Sequence, residues 1–325
     1  MAQEAPRRVI ACIGALQNSS SIMPLGAITA NALGAELTLL HVIETDTQPG
    51  ARPNPIASDL LRREAATTIS DLARKWENRI DNIHTTVLEG RAADQICIWA
   101  RDHQVDLTII CSGQEGGSCE WALGDTARRV IDCVEGSVLI APDVEETNEK
   151  VGLKKILTFL DGSCRAETAL PIAMQLAKSE QAELTLVHAV PEPQLTEIGP
   201  PRPEDEALRR RLFDRNEAAA RAYFDHLQNS LCDSGIKLKT CIMKDGDARH
   251  ALLRVIDDEQ ADLVVFSSHG HSGHMDVAAG SVASHMITHT PIPLLLVRGS
   301  QQHPPRQISA DEINPGLRFP FHEAV

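Results

Sequence analysis

Aromatic side chains make up only 3% of these 325 residues, with three tryptophans, one tyrosine and six phenylalanines. Any core is therefore aliphatic, built from Leu, Ile, Val and Ala. A basic surplus is also missing: 31 lysines and arginines face 45 aspartates and glutamates, for a formal net charge of −14. Nucleic acids and anionic membrane surfaces are bound by basic stripes, so neither is an expected partner, whereas small anions can still bind through local backbone dipoles. Uninterrupted apolar runs fall far short of the ~20 residues that span a bilayer, and no membrane insertion is expected. The opening MAQEAPRRVIACIG has two arginines but no apolar segment ahead of its first strand, so no signal peptide is expected. The eight cysteines include no CxxC pair and mostly fall in strand or helix patterns. Reduced thiols in a cytoplasmic protein are the expectation.

What is present is an ordinary globular balance, 42% hydrophobic and 23% charged, in a chain long enough for two cores. The chain is written twice. Ala35–Ile43 reads AELTLLHVI and Ala182–Val190, 147 residues later, reads AELTLVHAV. The pairs Asp106-Leu107 and Asp262-Leu263, Gly90 and Gly246, and Gly124 and Gly280 all stand 156 residues apart, so about nine residues enter the second copy between its second and third strands. Residues 1–146 and 147–300 are the two expected domains, with 301–325 as a tail in which Phe319 and Phe321 are candidate anchors. The acidic stretch Asp143–Leu153 forms the seam, and proline-rich loops follow the second strand of each copy.

Short aliphatic strands alternate with helical periods in each copy. Strands are expected near Arg8–Ile13, Glu36–Val42, Ile83–Glu89, Leu107–Cys111 and Val138–Ile140, and again near Lys155–Leu160, Leu184–Val190, Lys237–Lys244, Leu263–Ser267 and Leu294–Val297. That alternation predicts an α/β fold: two tandem doubly wound, Rossmann-like domains, each a five-stranded parallel sheet with helices on both faces. The longest helix, about Glu204–Ser230, is expected to bury Leu208, Leu212, Ala219, Tyr223, Leu227 and Leu231. Ligands of such sheets sit at the carboxyl ends of the strands beside the switch in strand order, which places Ser267–Ser281 at that edge.

The stretch Leu263–Val282, LVVFSSHGHSGHMDVAAGSV, runs from a strand through a glycine-bearing loop to a helix start. Glycines permit close approach to a ligand, and helix-start amides point at an anion. Ser281 is expected to cap that helix and to offer its hydroxyl to a phosphate.

These residues, together with KKILTFLDGS at Lys154–Ser163 and the closing Gly-Ser-Val, resemble the universal stress protein family in its tandem two-domain form, over nearly all of the chain except the tail. In nucleotide-binding members the motif reads G-x2-G-x9-G-(S/T), with an aspartate ending the first strand. The resemblance implies that Asp161 contacts ribose, that the Ala189 backbone meets the adenine edge, and that Gly270, Gly280, Ser281 and Val282 hold phosphates. Gly162, Phe266, Ser267 and Gly273 complete the implied cofactor-binding set, for ATP or a related adenine nucleotide, with Mg as its companion ion. Ser267 replaces the first motif glycine, and Asp276 puts a carboxylate in the loop where members often carry a base. If position 267 needed φ > 0, a serine there would cost about 1–2 kcal/mol.

The first copy departs further, with Gly14 for the aspartate, Cys111 and Gln114 for two glycines, and Asp125 for the serine. It is expected not to bind ATP in the family manner but to pack on the second copy as an intrachain pseudo-dimer through the last strands. A homodimer of the whole chain stays open.

Three histidines, His269, His271 and His274, crowd the loop; His271 and His274 form an HxGH string, but it follows the fourth strand and not the first, which weighs against nucleotidyl transfer. His285 and His289 are spaced i, i+4 as a metal pair can be, with His271 and His274 as further ligands, yet no Glu or Cys completes a local set and no metal is expected. His41 and His188 read as packing residues or partners of a strand-end backbone group. No nucleophile and base pair is legible, so a dedicated enzyme is not expected, slow ATP hydrolysis aside. The implied role is stress response by ligand-dependent conformational signalling; the alternative is a scaffold or a sensor of another small molecule or lipid.

Overall fold

A computed structural model describes residues 7–14, 21–44, 55–113, 123–142, 152–190, 192–193, 202–244, 247–269 and 279–298. The first half contributes β1 (Arg8–Ile13), α1 (Ile22–Leu33), β2 (Glu36–Ile43), α2 (Pro55–Trp76), β3 (Ile83–Glu89), α3 (Ala92–Asp102), β4 (Leu107–Cys111), α4 (Asp125–Cys133) and β5 (Ser137–Ala141). The second contributes β6 (Lys155–Phe159), α5 (Cys164–Glu167), α6 (Leu170–Glu180), β7 (Glu183–Ala189), α7 (Pro203–Leu231), β8 (Lys237–Met243), α8 (Ala248–Glu259), β9 (Leu263–Ser267), α9 (Ser281–His289) and β10 (Leu294–Val297). Strand positions follow the sequence reading to within a residue or so at each end. The tail, the seam from 143 to 151 and the loop positions Gly270, His271, Gly273, His274 and Asp276 lie outside the described residues.

The ten strands among the described residues form one sheet in the order β3-β2-β1-β4-β5-β10-β9-β6-β7-β8. Each half is parallel and switches direction between its first and fourth strands, β1 beside β4 and β6 beside β9. The halves meet where β10 pairs antiparallel with β5, Leu295 opposite Leu139. The chain thus forms an internal pseudo-dimer through its last strands.

Side chains alternate across the sheet with the strand period of two. Val9, Ala11 and Ile13 join one core while Ile10 and Cys12 join the other, and each core runs through both halves without a break at the seam. The repeated Asp-Leu pair has a local structural reason. Asp106 accepts from the Arg8 amide at 2.8 Å, and Asp262 accepts from the Lys154 and Lys155 amides at 2.7 and 2.8 Å, so each carboxylate holds the start of the neighbouring strand.

Two expectations are corrected. The buried stripe of α7 is Ala220, Phe224 and Leu227; Leu208 is 49% exposed, Ala219 is exposed, and Leu212, Tyr223 and Leu231 are half-buried. A 29-residue helix outruns the short sheet it covers, and its buried residues all fall in its second half. The thiols are not all reduced: Cys97 on α3 and Cys133 at the end of α4 form a disulfide, because packing of these two helices brings their Cα atoms to 6.0 Å.

Burial separates two leucines sharply. Leu295→Ala, in the fully buried seam strand, is expected to lower unfolding stability by about 3 kcal/mol, and Leu208→Ala to change it by less than about 0.5 kcal/mol, both read by denaturant titration. Equal effects would contradict the assigned α7 face.

Candidate functional site

The second-half site is assembled by strand register. Along β6 and β7, Phe159 lies opposite Val187, and along β6 and β9, Thr158 lies opposite Val265. Continuing those registers by two and three residues sets Asp161 level with Ala189 on one side and Ser268 on the other. Three adjacent strand ends therefore deliver an acid, a backbone edge and the start of the glycine loop to one stretch of the carboxyl edge, beside the switch in strand order.

Each piece is held locally. Asp161 Oδ1 accepts from the Ser163 amide at 2.9 Å and from the Ser163 hydroxyl at 2.6 Å. Ser163 in turn accepts from the Ala166 amide at 3.1 Å and caps α5. Gly162, at φ +82°, makes the turn between them in a backbone region open mainly to glycine. His188 Nδ1 donates to the Leu160 carbonyl at 2.8 Å and fixes the end of β6 against β7; His41 does the same for Ile13 at 2.8 Å in the first half. These histidines are strand-end partners of a backbone group, as the sequence suggested. The Tyr223 phenol donates to Glu167 at 2.8 Å. Burial, then the Glu167 carboxylate, then Asp161, push its pKa above the ordinary tyrosine range, so it stays a donor. Tyr223 escaped the sequence reading as a site neighbour because helical periodicity assigned it only to a core face.

On the other side, the Gly280 amide donates to the Ser268 carbonyl at 2.9 Å, which ties the far end of the loop back to the strand it left. Gly280, and not Ser281, is the N-cap of α9; Ser281 is the exposed first helical residue. The reason is backbone geometry, since Gly280 is extended at φ −67° and ψ 170° while the helix begins at the serine. With a glycine cap, the first turn of α9 has no side-chain cap and no acidic residue, an arrangement suited to an anion. The matching α4 also has a glycine cap, at Gly124, but carries Asp125 in its first turn. The first half also offers Gly14, with no side chain, where Asp161 stands in the second.

Two further implied residues change role. Phe266 is 4% exposed and packs at 6.3 Å from Phe159 in the core, so only its backbone reaches the edge. Ser267 ends β9 without a positive φ, so the strain considered for a non-glycine residue there does not arise. Its hydroxyl lies 3.5 Å from Thr168 Oγ1. Val282 is half-buried against the core beneath the helix start.

The α9 histidines stack, His285 on His289 at 4.1 Å, and His289 Nδ1 donates to the His285 carbonyl at 2.9 Å. Among the described residues no group of three or more His, Cys, Asp or Glu is placed to hold a metal. Among the described residues His285 Nε2 is buried without a hydrogen-bond partner, and the His250 ring lies 6.0 Å away across the contact with α8. Burial, then His289, Arg249 and His250, pull the His285 pKa below its ordinary value, with Asp247 opposing.

Two doubly wound units sharing one sheet, each with a glycine-capped helix after its fourth strand, define a tandem Rossmann-like α/β protein. The model of the universal stress protein family matches residues 7–142 and 152–298, and the chain belongs to that family. A universal stress protein of Thermus aquaticus is 32% identical over 145 residues, covering 45% of this chain and 98% of its own. Another, from Bacillus subtilis, is 28% identical over 153 residues, covering 44% of this chain and 98% of its own. The solved structure of a universal stress protein from Archaeoglobus fulgidus superposes with a TM-score of 0.60 over 89% of this chain and 98% of its own; at 16% identity it speaks for the fold. Among the described residues no helix is long and apolar enough to cross a membrane.

Two outcomes follow from this geometry. Among the described residues a Cβ at Gly280 would meet the Ser268 carbonyl alone, at 3.8 Å, so Gly280→Ala should unfold within a degree or two of the parent, whereas Gly162→Ala should lose about 1–2 kcal/mol to its positive φ. Calorimetry of both variants checks this, and a large loss for Gly280→Ala alone would contradict it. Neutral His285 contributes stability above the ordinary imidazole range, and that contribution is lost as pH falls through its lowered folded value. Acidification from about pH 7.5 to about 5 should therefore lower the thermal midpoint more in the parent than in His285→Gln. Equal losses would remove His285 from the account.

Proposed function

We propose that the second half binds ATP or a related adenine nucleotide and that the protein acts in a cytoplasmic stress response through ligand-dependent conformational change. The observation that supports this most directly is the pairing, across adjacent strands, of an oriented Asp161 carboxylate with the uncapped, acid-free start of α9. A carboxylate accepts hydrogen bonds from ribose hydroxyls, and a helix start donates amides to phosphate. The flat base would lie along the Ala189 backbone, whose strand end His188 fixes. Gly270, Gly273, Ser281 and Val282 complete the proposed ligand set.

The residues present fit such a ligand without further chemistry. Asp161 would orient the sugar, the first-turn amides and Ser281 would carry the phosphate charge, and Mg would neutralise part of that charge when bound. The proposed role is binding and signalling, with hydrolysis slow if it occurs; the Ser268 hydroxyl lies 3.0 Å from Nδ1 of His269, its neighbour in the chain. The first half is proposed as a partner surface only, because Asp125 would repel phosphate at the start of α4.

Titration calorimetry of ATP with Mg into nucleotide-stripped protein should find one site per chain. Asp161→Ala should weaken it about tenfold, as loss of a charge-assisted hydrogen bond implies, and Gly280→Asp should abolish it. Neither heat nor thermal stabilisation up to millimolar ATP would overturn the nucleotide reading and favour the scaffold or alternative small-molecule sensor.

A further inference from the structure

The Cys97–Cys133 disulfide lies in the first half, away from the proposed nucleotide crevice, and its position at the end of α4 gives it reach into the second half. Cys133 is exposed and Cys97 half-buried on the flank of α3. Residues on either side of Cys133 are gripped from the other half of the molecule: the Arg298 guanidinium donates to the carbonyls of Ile131 and Val134. The Arg298 amide also donates to Ser137 Oγ at 3.3 Å. Arg298 directly follows β10, and the preceding Val297 carbonyl accepts from the Ser268 amide at 2.9 Å, while the Ser268 carbonyl accepts from Gly280. An unbroken chain of backbone and guanidinium contacts therefore runs from Cys133 to the edge of the second-half crevice.

We propose that Cys97 and Cys133 are a reversible oxidation site, and that the disulfide sets how firmly the end of α4 holds Arg298 and, through it, the second half. A disulfide in a cytoplasmic protein is commonly transient, which suits a regulatory bond better than a permanent staple. The oxidant is a hydroperoxide. The exposed Cys133 thiolate attacks the O–O bond, takes one oxygen as a sulfenic acid and releases the other as water or alcohol. The Cys97 thiolate then attacks the Cys133 sulfur, forms the S–S bond and expels that oxygen as water, so two thiols and one hydroperoxide give one disulfide, one alcohol or water, and one water. A dithiol reductant reverses the bond by exchange. Cys12 is unsuited to such a role because burial pushes its thiol well above the ordinary range. The inference is independent of whether nucleotide binds.

Full-length protein treated with hydrogen peroxide should lose two alkylatable thiols and yield a linked Cys97–Cys133 peptide that dithiothreitol releases. Cys133→Ser, a change at an exposed position, should yield no such peptide. Hydrogen exchange should be faster in the reduced protein both in α4 and at residues 263–269 and 294–298 of the other half. In Arg298→Met the difference should shrink to α4 alone. Cys97→Ser, which keeps Arg298, should show the reduced pattern in both halves whatever the oxidant. Thiols at 97 and 133 that both stay alkylatable after peroxide would overturn the site, and an exchange difference confined to α4 in the parent protein would overturn the coupling.

Discussion

The antiparallel pairing of β5 with β10 is the constraint on which the rest of the molecule depends. Both strands are buried on their two faces, and either half alone would end its sheet in an apolar edge open to any passing strand. Joining them covers both edges at once and merges what would be two pairs of cores into two continuous ones, one on each side of a single sheet. Because both halves belong to one chain, the pairing does not depend on protein concentration as a dimer of separate subunits would.

Once the frame is doubled, the halves are free to differ where the frame does not need them. The framework contacts recur in both copies: a histidine donating to the end of the first strand, an aspartate receiving the amides at its start, a glycine amide closing the loop after the fourth strand. The residues that would meet a ligand do not recur. Gly14 has no carboxylate to match Asp161, and Asp125 reverses the charge at the helix start that Ser281 leaves neutral. A carboxylate in the first turn already satisfies the helix field, so it competes with phosphate in both charge and space. The asymmetry is electrostatic and lies in a few side chains.

The seam also carries information in principle, because its contacts are not confined to the two strands. Arg298 reaches across to the carbonyl end of α4, and Arg7 donates to Gln175 at 3.0 Å on the other face. Burial makes the Arg298 charge costly unless its hydrogen bonds are kept, so the position of α4 and the end of β10 are set together.

The sequence by itself determined the duplication, the strand positions and the parallel α/β class, because these rest on local periodicity and on a repeat that survives residue by residue. It also singled out the strand-end histidines and the contrast between Asp161 and Gly14. It misjudged features that depend on what lies opposite. Leu208 fits a helical stripe but stays exposed, Ser281 follows a glycine that takes the cap, and Phe266 points into the core. Only the tertiary structure decided that Cys97 and Cys133 meet, that Arg298 caps a helix of the other half, and that Ser267 sits in strand geometry without strain. The physical reason is the range of the forces involved: periodicity and backbone preference act between near neighbours in the chain, while disulfides, caps and buried faces are fixed by packing between residues tens to hundreds of positions apart.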